Sequence, residues 1–83
     1  MSPIVIQLDQ LVTRIAQSLV DRPQDVQINT IESGHTMVLE LRVAKEDIGK
    51  IIGKQGRTAQ ALRTLIGAVS AKCKMRTVLE IVE

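Results

Sequence analysis

Apolar residues recur at Ile4, Leu8, Leu11, Val12, Ile15 and Leu19, three and four positions apart. A helix brings such positions onto one face, so the spacing predicts an amphipathic helix. Ser2-Pro3 suits its start, with Ser as the cap and Pro at the first helical position. The β-branched run Ile4-Val5-Ile6 would also suit an extended first turn. Arg22-Pro23 is expected to end the helix, because a residue before Pro avoids the α region.

The period then changes to two. Val26-Gln27-Ile28-Asn29 alternates apolar and polar, and Met37, Leu39, Leu41 and Val43 alternate with Glu40 and Arg42. Ser33-Gly34-His35 lies between these runs, so they predict a β-hairpin with its apolar side inward.

Helical spacing returns from Lys45 to Ile52, with Ile48, Ile51 and Ile52 on one side. Gly53 to Gly56 breaks it, and a further helix is expected from Arg57 to Cys73. Its stripe would be Ala59, Leu62, Ile66, Val69 and Cys73. Gly67 weakens that helix by roughly 1 kcal/mol relative to Ala unless close packing requires it. Thr77 to Val82 reads as a last strand. The order is α-β-β-α-α-β, an α+β fold with one sheet face covered by three helices. Should the last two strands pair in parallel, the helix pair is their crossover. Residues 1–83 are expected to form one domain with a small core.

Composition removes several function classes. The chain has no Phe, Tyr or Trp, hence no aromatic platform for stacking bases of the kind an RRM or most OB-folds use. One Cys (Cys73) and one His (His35) cannot assemble a structural zinc site, and an intrachain disulfide is impossible. No cofactor is expected. No apolar run reaches the ~20 residues of a membrane span, and the N-terminus lacks a basic secretory start, so a cytoplasmic protein is expected. The net charge is only +2, but residues 45–76 carry eight basic and two acidic residues, a local +6, against −4 elsewhere. A basic segment of this kind suits a polyanion, or else is simply a solvated helix surface.

The candidate chemistry sits in Ile51-Ile52-Gly53-Lys54-Gln55-Gly56-Arg57. Two glycines bracket two long polar residues between helices. Glycine permits positive φ and close approach. The following helix offers free N–H groups and the positive end of its dipole, so a phosphate can sit there. Lys54 adds a mobile charge and Arg57 a forked one. Gly49 is expected to keep the preceding helix low. Ile48, Ile51, Ile52 and the strand from Met37 to Val43 are expected to shape an apolar groove for bases. The bland reading of the loop is a helix C-cap. A P-loop is rejected: Gly49-Lys50-Ile51-Ile52-Gly53-Lys54 has one residue too few between the glycines, and Gln55 stands where Ser or Thr is needed. His35 reads as a solvated turn residue and Cys73 as a buried small hydrophobe. Glu46-Asp47 reads as acids favoured at a helix start, not a catalytic pair.

With Ile52-Gly53-Lys54-Gln55-Gly56 between two helices, the lead-in Ile48-Gly49-Lys50-Ile51 and the element order, the chain resembles a type II KH domain. From Gly56-Arg57-Thr58 through Ala61-Leu62-Arg63-Thr64-Leu65 it is similar to the small bacterial single-KH proteins of the KhpA-like kind. The resemblance implies RNA binding without enzymatic activity, the loop clamping about four nucleotides of single-stranded RNA, with single-stranded DNA a ligand of some members. It also implies an RNA chaperone or post-transcriptional regulator with broad sequence preference. Gly49, Lys50, Ile52, Gly53, Lys54, Gln55, Gly56, Arg57 and Arg63 are then the expected RNA-binding residues. Gln55 departs from the family's habit of a second basic residue or Gly there.

The second function class is a protein-interaction module on the same scaffold. Ala61, Leu65 and Ala68 border the core stripe of the last helix and are the candidate surface for a homodimer, or for a heterodimer with a second KH-containing protein.

Overall fold

A computed structural model describes residues 3–82. Helix α1 spans Pro3–Leu19, strands β1 and β2 span Gln27–Ser33 and Thr36–Arg42, helices α2 and α3 span Ile48–Ile52 and Arg57–Lys72, and strand β3 spans Arg76–Val82. The α-β-β-α-α-β order is therefore the predicted one, an α+β, type II KH arrangement. Ser2, the expected cap of α1, lies outside the described residues. Short 3₁₀ turns at Pro23–Asp25 and Lys45–Asp47 precede β1 and α2.

The first helix is helical from Pro3, which resolves its opening turn. Its buried face is Val5, Leu8, Val12 and Ala16, with Ile4 and Ile15 packed beside them, while Leu11 and Leu19 are exposed. The expected stripe is thus rotated. More apolar residues are available than one face can bury, and the small Ala16 takes one of the four buried places. Helix α1 ends at Leu19, three residues before the predicted stop.

The hairpin register pairs Ser33 with Thr36 and leaves Gly34-His35 as a two-residue loop. Strand β2 is central, antiparallel to β1 and parallel to β3. The α2–α3 pair is the crossover between β2 and β3, as parallel neighbours require. The inward residues Met37, Leu39 and Leu41 of β2 are fully buried, and Leu79 of β3 lies beside Leu39. Together with Ile51, Leu62 and Ile66 they meet the α1 stripe in one aliphatic core.

Two assignments on α3 change. Val69 is exposed, and the fourth buried position is Ser70. Its hydroxyl donates to the Gly67 carbonyl (3.2 Å), so it enters the interior with its hydrogen bond made within the helix. Cys73 is exposed, not buried. The helix stops at Lys72, and the positive φ of Lys74 swings the chain into β3 before Cys73 can complete another turn of the stripe. A Cβ at Gly67 would meet nothing within 4 Å. Close packing therefore does not require this glycine, and Gly67→Ala is expected to raise stability by about 0.5–1 kcal/mol in urea denaturation. Among the described residues no helix is long and apolar enough to cross a membrane.

Candidate nucleic-acid interface

The loop between α2 and α3 is a tight turn held by its own backbone. The Gly53 N–H donates to the Gly49 carbonyl (2.8 Å) and closes α2, and the Gly56 N–H donates to the Gly53 carbonyl (3.1 Å). The Arg57 N–H donates to the Lys54 carbonyl. Gly53, Gln55 and Gly56 have φ of 78°, 58° and 73°. A side chain at Gly53 would strike the Thr58 hydroxyl and stand 2.9 Å from the Thr58 backbone nitrogen. Gly53 is therefore fixed by both space and conformation. Gly56 has open space around it, so only its left-handed backbone favours glycine. Gln55 holds the same left-handed region with a side chain, at a cost of about 1 kcal/mol.

Gly56 occupies the cap position of α3 and supplies no side-chain acceptor. The first N–H groups of a sixteen-residue helix thus lack a side-chain cap at the loop. Lys54, Gln55 and Arg57 are exposed around it, and neither Lys54 nor Arg57 has an ion pair among the described residues. Ile51 points into the core, whereas Ile52, 38% exposed, stands beside the loop.

Lys50 is placed differently. Its ammonium lies 3.1 Å from Asp21 and 3.7 Å from Asp47. The hydrogen bond to Asp21, reinforced by the charges of Asp21 and Asp47, raises its pKa above the usual lysine value. Asp47 is the residue that sequence reasoning missed. It is 1% exposed, and its carboxylate accepts from the backbone N–H groups of Asp21 (3.2 Å) and Arg22 (3.0 Å). This ties the exit of α1 to the start of α2. Two acids opening a helix gave no sign of it, because both partners are backbone groups some 25 residues away.

One expectation about the groove is corrected. Met37, Leu39 and Leu41 are wholly inside the core of a central strand and line no open surface. Gly49 is exposed, and a Cβ there would meet nothing within 4 Å, so the surface of α2 is open at this position. The groove present lies between α3 and the edge strand β3, lined by Arg63 and Ile66 on one side and by residues 76–79 on the other. Arg63 donates to the Leu79 carbonyl across it (3.4 Å). Ala61, Leu65 and Ala68 are exposed on α3, Leu65 at 55%.

A family model described as KhpA/KhpB, KH domain matches residues 9–81. The chain belongs to this family of KH domains. Proteins named RNA-binding protein KhpA are similar over nearly their whole length. That of Caldanaerobacter subterraneus subsp. tengcongensis is 49% identical over 75 residues, covering 90% of this chain and 100% of the relative. That of Chlamydia pneumoniae is 47% identical over 76 residues, covering 92% and 97%. A crystal structure of Aquifex aeolicus Era bound to GDP and AlF4⁻ shares the fold, with a TM-score of 0.63 and 18% identity, over 98% of this chain and 31% of that one. The KH assignment read from the glycine loop and element order therefore holds, and the family is one of binders, not enzymes.

Proposed function

We propose that this KH domain binds single-stranded RNA, with the sugar–phosphate backbone on the Gly53–Gly56 loop and the bases toward the β3 groove. The observation that carries this is the coincidence, at one loop, of a helix start without a side-chain cap and two cations that have no ion pair among the described residues. That loop sits in a chain about half identical to proteins named as RNA-binding. The internal hydrogen bonds of the loop use the N–H groups of Gly53, Gly56 and Arg57. Those of Lys54 and Gln55 face a phosphate at the tip, with the α3 dipole behind them. Lys54 and Arg57 supply charge. Lys50 keeps a spare donor, since an ammonium has three N–H groups, and can share a phosphate while held by Asp21. Gly49 leaves room for the strand, and Ile52 gives a base an aliphatic rest. One domain reading about four nucleotides gives loose sequence preference, which suits an RNA chaperone or post-transcriptional regulator in the cytoplasm. Single-stranded DNA would engage the same backbone contacts.

Three cations on phosphates predict a plot of log affinity against log salt with slope near −2, at about −0.7 per contact for single strands. Fluorescence anisotropy across a potassium chloride series measures it. A slope near zero contradicts the clamp.

A second surface is favoured by a separate observation. Leu65 and Val69 are exposed on α3 beside the small Ala61 and Ala68. An apolar ridge of this kind suits a second copy of the chain or another KH-containing protein, and pairing would raise weak RNA affinity through avidity. Leu65→Glu is expected to shift sedimentation to a slower species with an unchanged circular dichroism spectrum. Identical sedimentation of the two proteins contradicts this surface.

A further inference from the structure

We infer that the groove between α3 and β3 selects guanine or cytosine over adenine and uracil, with Arg63 reading two adjacent acceptors on the base edge. This rests on the RNA-binding reading above. The groove encloses about 210 Å³, below the roughly 300–1,000 Å³ of sites for drug-sized ligands. It therefore suits a single nucleobase.

Its charged side chains are one-sided. Arg63 stands on the α3 wall and Arg76 at the far end of the β3 wall, and no carboxylate or side-chain amide lines the space. Guanidinium groups only donate. Strand β3 is an edge strand. Its Arg76 N–H turns inward to the His35 carbonyl (2.7 Å), so by alternation Thr77 and Leu79 turn their backbone groups outward. The outward Leu79 carbonyl already accepts from Arg63. One acceptor of the edge is thereby occupied, and the remaining N–H groups of Arg63 are held at the mouth.

Such a set matches a base that offers two adjacent acceptors. Guanine does so with O6 and N7, the pair a guanidinium fork engages bidentately. Adenine puts an amino group beside N7, so a fork meets one acceptor and one donor. Cytosine offers the same kind of pair, O2 and N3, on its Watson–Crick edge. Uracil offers its carbonyls singly. Arg63 lies six residues along α3 from Arg57, about 9 Å at 1.5 Å per residue, so a base reaches it from a backbone held at the loop.

The test uses the full chain and fluorescein-labelled octamers of uridine carrying one central guanosine, cytidine, adenosine or 7-deazaguanosine. The guanosine and cytidine octamers are each expected to bind roughly five- to a hundredfold tighter than the adenosine one, the worth of one bidentate contact. 7-Deazaguanosine, which lacks the N7 acceptor, is expected to lose most of that advantage. Arg63→Lys keeps the charge without the fork and is expected to bring the guanosine-to-adenosine ratio near one, whatever it does to overall affinity. Equal binding of the guanosine, cytidine and adenosine octamers by the unaltered protein overturns this selection and leaves the clamp standing. A retained preference in Arg63→Lys overturns the role of Arg63. Failure of every octamer to bind overturns the RNA-binding reading, and this inference with it.

Discussion

Asp47→Ala is expected to lower stability by about 2–4 kcal/mol, because it strips two backbone donors of a charged acceptor at once. The Asp47 carboxylate is 1% exposed and receives the Asp21 and Arg22 N–H groups just beyond the end of α1. A hydrogen bond to a charged group contributes about 1.5–3 kcal/mol, and a buried donor left without a partner costs its desolvation. The same substitution takes one of two carboxylates from Lys50. In a small domain whose whole stability is about 5–15 kcal/mol, such a loss is a large share. Asp47→Asn keeps one acceptor oxygen but turns an NH₂ toward a donor, so it is expected to fall between the parent and Asp47→Ala. Urea denaturation of the three proteins checks the order. Equal midpoints would show that Asp47 does not brace the α1–α2 junction.

This brace also shows where the sequence stops being legible. Periodicity marked every helix and strand because each element has one buried face, and the change of period from 3.6 to two and back is written in the order of apolar residues. The glycine loop was legible because its positive φ angles leave a mark in composition. Asp47 has no such mark: its partners are backbone amides, which any residue carries. Ser70 hid in the same way, since its hydroxyl is satisfied by the Gly67 carbonyl within its own turn and so behaves as a small core residue. Val69 and Cys73 kept the helical spacing but lost the core, one to the exact rotation of α3 and the other to the helix stop at Lys72.

The open groove was expected at the wrong strand for a topological reason. An alternating strand announces that one face is buried, not whether the strand is central or at an edge. Strand β2 is central, so its inward residues are core and its backbone is paired on both sides. Strand β3 is at the edge, and only an edge strand has backbone groups to offer beside a helix. Strand order depends on pairings between distant segments, which spacing along the chain does not encode. Lys50 illustrates the same limit: its charge is plain in the sequence, but its engagement with Asp21 arises only once α1 and α2 meet.

The Lys54→Asp, Gln55→Asp double variant is expected to keep the fold and lose RNA affinity by about a hundredfold or more. Both residues are exposed at the loop tip and contribute nothing to the core. Asp tolerates the left-handed backbone at position 55 at least as well as Gln, and carboxylates at the start of α3 are favoured by its dipole. The site instead changes by three charge units toward negative. A carboxylate about 4 Å from a phosphate adds roughly 1–4 kcal/mol of repulsion, depending on solvent access, on top of the lost lysine contact. The most direct test is an anisotropy titration of one fluorescent single-stranded RNA octamer with the parent and the double variant, after thermal melting has matched their midpoints. The clamp predicts saturable binding by the parent and none by the variant over a hundredfold higher concentration range. Equal affinities at equal midpoints would contradict it.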